Sequence, residues 1–308
     1  MLDELVETID CPVCGSQKFT KILEAKYPNN LTKPELLGIY SSSSDHMLFD
    51  QLSECTNCSL VYLNPRVRED IIISSYSEAI DPLFIQQNKQ RIKTFKRTLN
   101  KLINTYNLSA NKSTTILDVG CAGGAFPKAA DELGFSVVGV EPSRWLSEQG
   151  RLRYGLDIRT GTINDNRFDD NSFDIVTLWD VIEHLTKPDE VMKEIQRILK
   201  DSGLLIINYP DYSSFVQRIM KTKWPFLLSV HLIYFTPDTV KRFLNTHGFE
   251  VIDIRPFFQT LELNYVLQRA SVYFRMFKLF ERFANIAGLG QVPFTYNMGQ
   301  SLLVARKQ

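Results

Sequence analysis

The segment from Ile116 to Phe126 constrains the fold more than any other part of this 308-residue chain. Its sequence is Ile-Leu-Asp-Val-Gly-Cys-Ala-Gly-Gly-Ala-Phe, so apolar residues and an aspartate lead into a glycine-rich turn. A second apolar run, Val137–Val140, ends in Glu141, which lies 21 residues after Gly120. Glycines let the backbone approach a ligand, and an acid after the second strand can accept hydrogen bonds from a ribose diol. The pattern therefore predicts a nucleoside-binding strand, turn, helix and strand.

The arrangement of the turn distinguishes between cofactors. Glycines at positions 120, 123 and 124 do not follow the dinucleotide spacing G-x-G-x-x-G, and Asp118 precedes them. The heptapeptide DVGCAGG resembles motif I, D-x-G-x-G-x-G, of the class I S-adenosylmethionine-dependent methyltransferases, with Ala122 in place of the middle glycine. The resemblance continues through FDIVTLWDVIEHL and HLIYFTPDTV and covers residues 112–258.

The resemblance implies a binding site for S-adenosylmethionine at the ends of the strands. Glu141 is the predicted ribose ligand, and Asp118 is expected to orient the turn or to meet the amino-acid part of the cofactor through water. Cys121 is expected to pack beside the cofactor. Trp179 is expected near the cofactor, although large aromatic residues at strand ends are often simply core. The other predicted contacts are Gly120, Ala122, Gly124, Phe126, Pro142, Thr162 and Ile163.

Three residues are candidates for catalysis. Methyl transfer depends mainly on in-line placement, but an oxygen or carbon nucleophile also benefits from a general base. His231 is the predicted base, because it opens a loop expected to cover the strand ends. A histidine bound to backbone within that loop is the alternative. Tyr234 is expected to assist, and His184 either acts as an acid–base group or fixes the turn after its strand.

Four of the five cysteines form two C-x-x-C pairs, Cys11 with Cys14 and Cys55 with Cys58. Two such pairs supply four thiolates for a tetrahedral zinc ion with no open position, so a structural zinc site is predicted. Disulfides or redox pairs are the alternative, disfavoured without an export signal. The ribbon of residues 1–64, which ends in LVYLNPR, resembles the N-terminal module of some family members that modify sugars or cell-surface glycans.

Short apolar runs alternate with helical patterns from residue 114 to about 258, and this indicates a parallel sheet with helices on both faces. The expected fold is α/β, a Rossmann-like mostly parallel sheet between helices, with the small zinc ribbon before it. A linking helical segment is expected at 65–111 and the methyltransferase domain at 112–308, with a helical insertion at about 261–298. The predicted strands are Thr115–Val119, Ser136–Val140, Asp157–Thr160, Phe173–Leu178, Leu204–Asn208, Val251–Ile254 and Ser301–Ala305.

Composition restricts the partners. The formal net charge is zero, so no global field attracts nucleic acid, although basic residues cluster between Lys89 and Lys101. The aromatic and basic segment Tyr265–Ala287 suits a core helix, a homodimer interface or an anionic membrane surface. No apolar segment approaches the about 20 residues of a membrane helix, and no secretion signal is evident. A cytoplasmic protein is expected, with peripheral contact to the inner face of the membrane as an open alternative.

These observations predict methyl transfer from S-adenosylmethionine to a small-molecule or glycan-type acceptor, such as a nucleotide- or lipid-linked sugar, at oxygen or carbon. One alternative is an RNA methyltransferase that uses the zinc ribbon to recognise RNA. Another is a non-catalytic adapter that retains the fold.

Overall fold

The computed structural model describes residues 4–27, 32–41, 46–78, 80–273 and 276–308. Its strands are β1 (Val6–Glu7), β2 (Phe19–Leu23), β3 (Leu52–Cys55), β4 (Val61–Leu63), β5 (Arg66–Val67), β6 (Thr115–Val119), β7 (Ser136–Glu141), β8 (Asp157–Thr160), β9 (Phe173–Trp179), β10 (Leu199–Pro210), β11 (Ile233–Tyr234), β12 (Phe249–Pro256), β13 (Gln259–Glu262), β14 (Pro293–Tyr296) and β15 (Gln300–Lys307). Its α-helices are α1 (Lys33–Ile39), α2 (Glu69–Ser77), α3 (Pro82–Gln86), α4 (Asn88–Tyr106), α5 (Ala125–Glu132), α6 (Arg144–Tyr154), α7 (Pro188–Ile198), α8 (Phe215–Met220), α9 (Pro237–Asn245), α10 (Leu263–Tyr273) and α11 (Phe277–Ile286).

A seven-stranded sheet forms the centre of the molecule, in the order β12-β15-β10-β9-β6-β7-β8. Strands β8, β7, β6, β9 and β10 pair in parallel, and β15 runs antiparallel to both β10 and β12. The parallel strands are short apolar runs, because helices cover both faces and leave little solvent-facing surface. The predicted α/β class with a mostly parallel sheet is confirmed.

The strand order reverses next to β6. The chain runs from β6 outward through β7 to β8 and then returns to β9 on the other side of β6. In such sheets, ligands bind in the crevice outside the carboxyl ends of the strands at this point of reversal. The glycine turn after β6, Glu141 at the end of β7 and Trp179 at the end of β9 therefore all lie at one edge of the sheet.

The predicted strands match the observed ones closely, and β6 and β8 have the predicted bounds. Apolar residues at helical spacing over 84–106 predict one helix, but α3 ends at Gln86 and α4 begins at Asn88. The Asp81 carboxylate accepts from the Phe84 amide at 2.9 Å and caps the start of α3, and the Gln87 amide donates to the Phe84 carbonyl at 3.1 Å, an i to i−3 bond that interrupts the α-helical pattern. Position 87 therefore separates two helices that the apolar spacing alone joined.

The N-terminal ribbon is joined to the rest of the chain by strand pairing. Its sheet has the order β11-β4-β3-β2, and β11 comes from residues 233–234. The Leu63 amide also donates to the Leu232 carbonyl at 2.9 Å. The predicted division at residue 64 stays a prediction, but the ribbon sheet is completed by a strand from far along the chain.

The region predicted as a helical insertion holds α10 and α11, with β13 and β14 pairing antiparallel on either side. Several apolar side chains of α11 face solvent: Leu279 (68% exposed), Phe280 (49%), Phe283 (67%) and Ile286 (88%). Phe274 and Arg275 lie outside the described residues. Within the described part of the chain, no helix is long and apolar enough to cross a bilayer. The membrane or homodimer contact of Tyr265–Ala287 stays a prediction.

Candidate functional site

The turn after β6 adopts a conformation that suits glycine. Gly120 and Gly124 have φ values of +70° and +76°, in the left-handed region that L-residues rarely occupy. Close packing adds a second restriction, because a Cβ on Gly120 would lie 2.6 Å from Val181 Cγ2 and one on Gly123 would lie 2.0 Å from Ile85 Cδ1. The turn thus brings bare backbone to the carboxyl end of β6.

The family motif normally has a glycine in the middle of this turn, and this chain has Ala122 there instead. Its φ is +46°, so it too has left-handed backbone geometry. Such a conformation costs an L-residue roughly 1–2 kcal/mol. The backbone amide of Ala122 donates to Glu141 Oε2 at 2.8 Å, and this bond holds the strained residue in place.

We expect Ala122→Gly to raise the free energy of unfolding by up to about 1 kcal/mol, because relief of the left-handed strain exceeds the entropic cost of glycine. Urea denaturation followed by circular dichroism measures the change. Ala130→Gly in the middle of α5 is the control and should lower stability by about 0.5–1 kcal/mol. A clear loss of stability in Ala122→Gly would show that the turn carries no such strain.

Glu141 is buried at the end of β7, with 3% of its surface exposed. Oε2 accepts from the Ala122 amide and Oε1 from the Ser143 amide, both at 2.8 Å. Burial raises the pKa of Glu141 to about 7, and the two amide bonds partly oppose this. Each carboxylate oxygen has a second lone pair, so the side chain can clamp the turn and still accept from a diol.

Asp118 is buried in the sheet, directly before the glycine turn. It is 1% exposed, and its Oδ1 accepts from the Thr177 hydroxyl at 2.6 Å across the β6–β9 pair. Burial raises its pKa well above the ordinary range, and the charge of Glu141 adds to the effect. The contact ties the two strands at the point of reversal. Its predicted action on the turn or on the cofactor stays a prediction.

An aromatic cluster fills the space beside the turn. The Trp179 ring lies 5.0 Å from Phe95, 5.2 Å from Phe126 and 5.6 Å from Phe257, measured between centroids. Phe126 is 2% exposed and Trp179 is 9% exposed, so both are mainly core. The indole Nε1 of Trp179 is nevertheless buried without a hydrogen-bond partner, and this leaves it a donor for a ligand.

The remaining predicted contacts are spread around this edge of the sheet. Cys121 is buried and packs on Gly139, since a Cβ added to Gly139 would lie 2.6 Å from the Cys121 sulfur. Pro142 is half-buried. Thr162 is exposed, with its hydroxyl bonded to Asp165 at 2.7 Å, whereas Ile163 is buried in the core. Their predicted roles in binding the cofactor stay predictions.

The residues at this edge fit a nucleoside with a polar amino-acid tail. The turn offers glycine backbone without side chains, and Glu141 offers a buried carboxylate with lone pairs to spare. The Tyr76 hydroxyl lies close enough to the carboxylates of Glu141 and Glu183 for their charges to raise its pKa, after the larger effect of burial. Helix α2 thus lies beside the crevice, and Ile85 of α3 packs on Gly123 of the turn.

The two histidines predicted for catalysis meet beside this crevice. The rings of His184 and His231 lie 4.7 Å apart and nearly perpendicular. His184 Nδ1 lies 3.0 Å from the Val230 carbonyl, and His231 Nδ1 lies 2.8 Å from the Phe226 carbonyl. A carbonyl oxygen can only accept, so both Nδ1 atoms carry hydrogen and both Nε2 atoms carry lone pairs. Burial lowers the pKa of His184 to about 4 and holds that of His231 well below its ordinary value, so both rings are neutral.

Glu183 completes this cluster and was not predicted. It is 2% exposed, and neither carboxylate oxygen has a hydrogen bond to another residue. Ligand atoms of Glu183, His184 and His231 all lie within 4.8 Å of one another. The sequence signal was present in the adjacent Glu183-His184 pair, but its partner His231 lies 47 residues further on. Tyr234 donates its hydroxyl to the Leu228 carbonyl at 2.8 Å and is buried, so its assisting role stays a prediction.

The comparisons agree with this geometry. The family model described as a methyltransferase domain matches residues 87–254, more than half of the chain. This chain belongs to the methyltransferase domain family. An uncharacterised methyltransferase of Schizosaccharomyces pombe is 35% identical over 127 residues, which are 36% of this chain and 45% of the relative. A ubiquinone biosynthesis O-methyltransferase of Cereibacter sphaeroides is 26% identical over 152 residues, 45% of this chain and 61% of the relative.

The chain thus spans only about a third to a half of the length of the first curated relatives it matches. Among solved structures, a SAM-dependent methyltransferase of Archaeoglobus fulgidus superposes with a TM-score of 0.49 at 20% identity, over 74% of this chain and 100% of that one.

Outside the matched methyltransferase domain, the four N-terminal cysteines converge. Cys11 Sγ lies 3.5 Å from Cys58 Sγ, and Cys14 Sγ lies 3.5 Å from Cys55 Sγ. All four sulfurs lie within 4.8 Å of one another, and none is in a disulfide. A tetrahedron with zinc–sulfur bonds of about 2.3 Å has edges of about 3.8 Å, so the cluster fits a zinc ribbon.

Turns of the same kind shape the two cysteine pairs. The Gly15 amide donates to the Cys11 carbonyl at 2.8 Å, and the Ser59 amide donates to the Cys55 carbonyl at 2.9 Å. Gly15 and Ser59 have φ values of +66° and +60°. Both pairs therefore present their thiols from a tight turn towards a shared point.

Three of the six basic residues in the cluster on α4 make internal contacts, and the other three, Lys89, Lys93 and Lys101, are exposed. Lys96 pairs with Glu132, and Arg97 donates to Thr260 Oγ1 at 3.1 Å. Arg91 is half-buried over the Phe84 ring, 3.9 Å from its centroid, and its Nε is buried without a hydrogen-bond partner. Of these three, Arg91 is the one whose donor remains available.

Proposed function

We propose that this protein transfers a methyl group from S-adenosylmethionine to a small-molecule or glycan-type acceptor, at oxygen or carbon. One observation carries the proposal. Glu141 clamps the Ala122 amide of the glycine turn at the carboxyl edge of a methyltransferase sheet and keeps lone pairs for a ribose. Membership of the methyltransferase domain family supports S-adenosylmethionine as the cofactor. The neighbouring cluster of Glu183, His184 and His231 supports an acceptor site at the same edge of the sheet.

Bound S-adenosylmethionine supplies an electrophilic methyl group on a positively charged sulfur. The part of this chain is then to hold the acceptor in line with that group and to accommodate the proton that the acceptor loses. Glu183, His184 and His231 are the polar side chains placed to do this beside the crevice. Because both histidines are neutral and each Nε2 carries a lone pair, the cluster is rich in acceptors.

Two features favour a glycan-type acceptor, for example a nucleotide-linked sugar. Arg91 borders a small cavity shared with Trp179 and Asp180, and its unpartnered Nε is suited to a phosphate oxygen. The N-terminal ribbon also reaches this side of the molecule through the β4–β11 pairing, next to His231. The formal net charge of zero gives no general attraction to nucleic acid, and this disfavours RNA as the acceptor.

We also propose that the four N-terminal cysteines bind a structural zinc ion. Four thiolates complete its tetrahedral coordination, so this zinc has no position for an acceptor. Its contribution is to hold β2, β3 and β4 together, and with them the pairing to β11.

Calorimetry with S-adenosylmethionine and product analysis with a panel of nucleotide-linked sugars test the proposal. We expect one equivalent of S-adenosylmethionine to bind, and methyl transfer to appear with at least one sugar of the panel. Absence of S-adenosylmethionine binding would favour the adapter alternative. Nucleic acid that copurifies and is released by nuclease would favour RNA as the acceptor.

A further inference from the structure

We propose that Glu183, His184 and His231 form a divalent-metal site of the zinc type, separate from the four cysteines and adjacent to the cofactor crevice. Binding of the metal does not depend on the proposed function, whereas its use in methyl transfer rests on that function.

The arrangement of hydrogen-bonding groups is the first reason. Each histidine donates its Nδ1–H to a backbone carbonyl, so its Nε2 carries a lone pair and no hydrogen. The Glu183 carboxylate also lacks a donor from another residue. Three acceptor groups, buried at Glu183 and His231 and half-buried at His184, therefore lie together with no donor among them, and such an arrangement is unfavourable unless a cation or a proton lies between them.

The support around the histidines is the second reason. Metal-binding histidines usually donate the other ring N–H to a carbonyl or a carboxylate, and this bond fixes the tautomer and orients the ring. Val230 and Phe226 provide such carbonyls at 3.0 and 2.8 Å. The ligand atoms lie within 4.8 Å of one another, and two ligands of one tetrahedral zinc ion are about 3.4 Å apart. A contraction of at most about 1.4 Å completes the set.

The local charge is the third reason. Glu183 is a buried carboxylate, and a second carboxylate, Asp180, lies three residues before it in the chain. Asp180 is stabilised by amide donors from Asn208 and Gln300, whereas Glu183 has no such partner. A divalent cation offsets the charge of Glu183 where no side chain of the described residues does.

The donor set indicates the metal and its use. Two imidazoles and one carboxylate suit zinc and other first-row transition metals better than magnesium or calcium. Three protein ligands leave at least one coordination position, which could take an acceptor hydroxyl oxygen and lower the pKa of that hydroxyl, so that its proton would pass to water. The metal then replaces His231 as the group that activates the acceptor, because coordination occupies the Nε2 lone pair.

Titration of the full-length protein with Co²⁺, followed by visible absorption, tests the proposal. The ribbon cysteines are kept intact, and loosely bound ions are first removed by dialysis against a mild chelator. We expect one equivalent of Co²⁺ to bind with ligand-field bands but without sulfur-to-cobalt charge transfer. Glu183→Gln and His231→Ala should each weaken this binding by at least about 10–100-fold. His247→Gln is the matched control and should bind as the unmodified protein does, since His247 lies against Asp189, outside the cluster.

The outcomes separate the two proposals. Failure of the unmodified protein to bind Co²⁺ outside the cysteines, or undiminished binding in both variants, would overturn the metal site. If S-adenosylmethionine binding and methyl transfer persist in that case, the proposed function stands. If Co²⁺ binds as expected but S-adenosylmethionine does not, the metal site stands and the proposed function fails. Should His231→Ala not fold, Glu183→Gln decides, because its side-chain oxygens have no partner to lose.

Discussion

Replacement of Cys55 by serine is expected to release the ribbon zinc and to unfold the N-terminal sheet. Cys55 Sγ lies 3.5 Å from Cys14 Sγ, and a serine hydroxyl is a poor substitute for a thiolate on zinc. Zinc binding contributes about 10–16 kcal/mol to the folding of small zinc domains, so its loss exceeds what the ribbon's short strands can offset. Metal analysis and limited proteolysis of the purified protein measure the two effects.

Cys121→Ser is the matched control, because Cys121 is the fifth cysteine and packs on Gly139 away from the cluster. This variant should keep the zinc content of the unmodified protein. Damage from Cys55→Ser should also extend beyond the ribbon, since β4 pairs with β11 and the Leu63 amide bonds to Leu232. An unmodified protein without zinc, or a Cys55→Ser protein that keeps it, would refute the zinc assignment.

Glu141→Gln is expected to weaken S-adenosylmethionine binding by roughly 10–150-fold, the equivalent of about 1.5–3 kcal/mol for hydrogen bonds to a charged group. The substitution keeps the volume of the side chain but replaces one oxygen with an amide NH₂. That group would face the Ala122 or the Ser143 amide, so donor would meet donor. Both the ribose contact and the clamp on the turn are weakened. Calorimetry measures the affinity.

Glu148→Gln is the control for this substitution, because Glu148 is an exposed acid on the neighbouring helix α6. Circular dichroism of both variants establishes whether the fold is retained, and Glu141→Asp tests whether the charge alone suffices. An unchanged affinity in a folded Glu141→Gln protein would mean that Glu141 serves the turn and not the ribose.

Much of the fold could be predicted because its signals are local. The strands β6 and β8 were placed at their observed bounds from short apolar runs, and the acid at the end of β7 follows from its spacing after Gly120. The separation of α3 from α4 was missed, because apolar spacing does not reveal the bond from the Gln87 amide to the Phe84 carbonyl that interrupts the helix. Asp118 was recognised as part of the motif, but its bond to Thr177 depends on strand pairing across 59 residues.

The sequence by itself determined the glycine turn, the acid that follows it and the two cysteine pairs, since each depends on residues a few positions apart or on one strand–helix–strand unit. Only the tertiary structure decided that β11 completes the ribbon sheet and that Glu183, His184 and His231 meet at one point. It also decided that Ala122 bears left-handed strain held by Glu141. Contacts of this kind arise from the order of strands and the closure of long loops, and no periodicity along the chain encodes them.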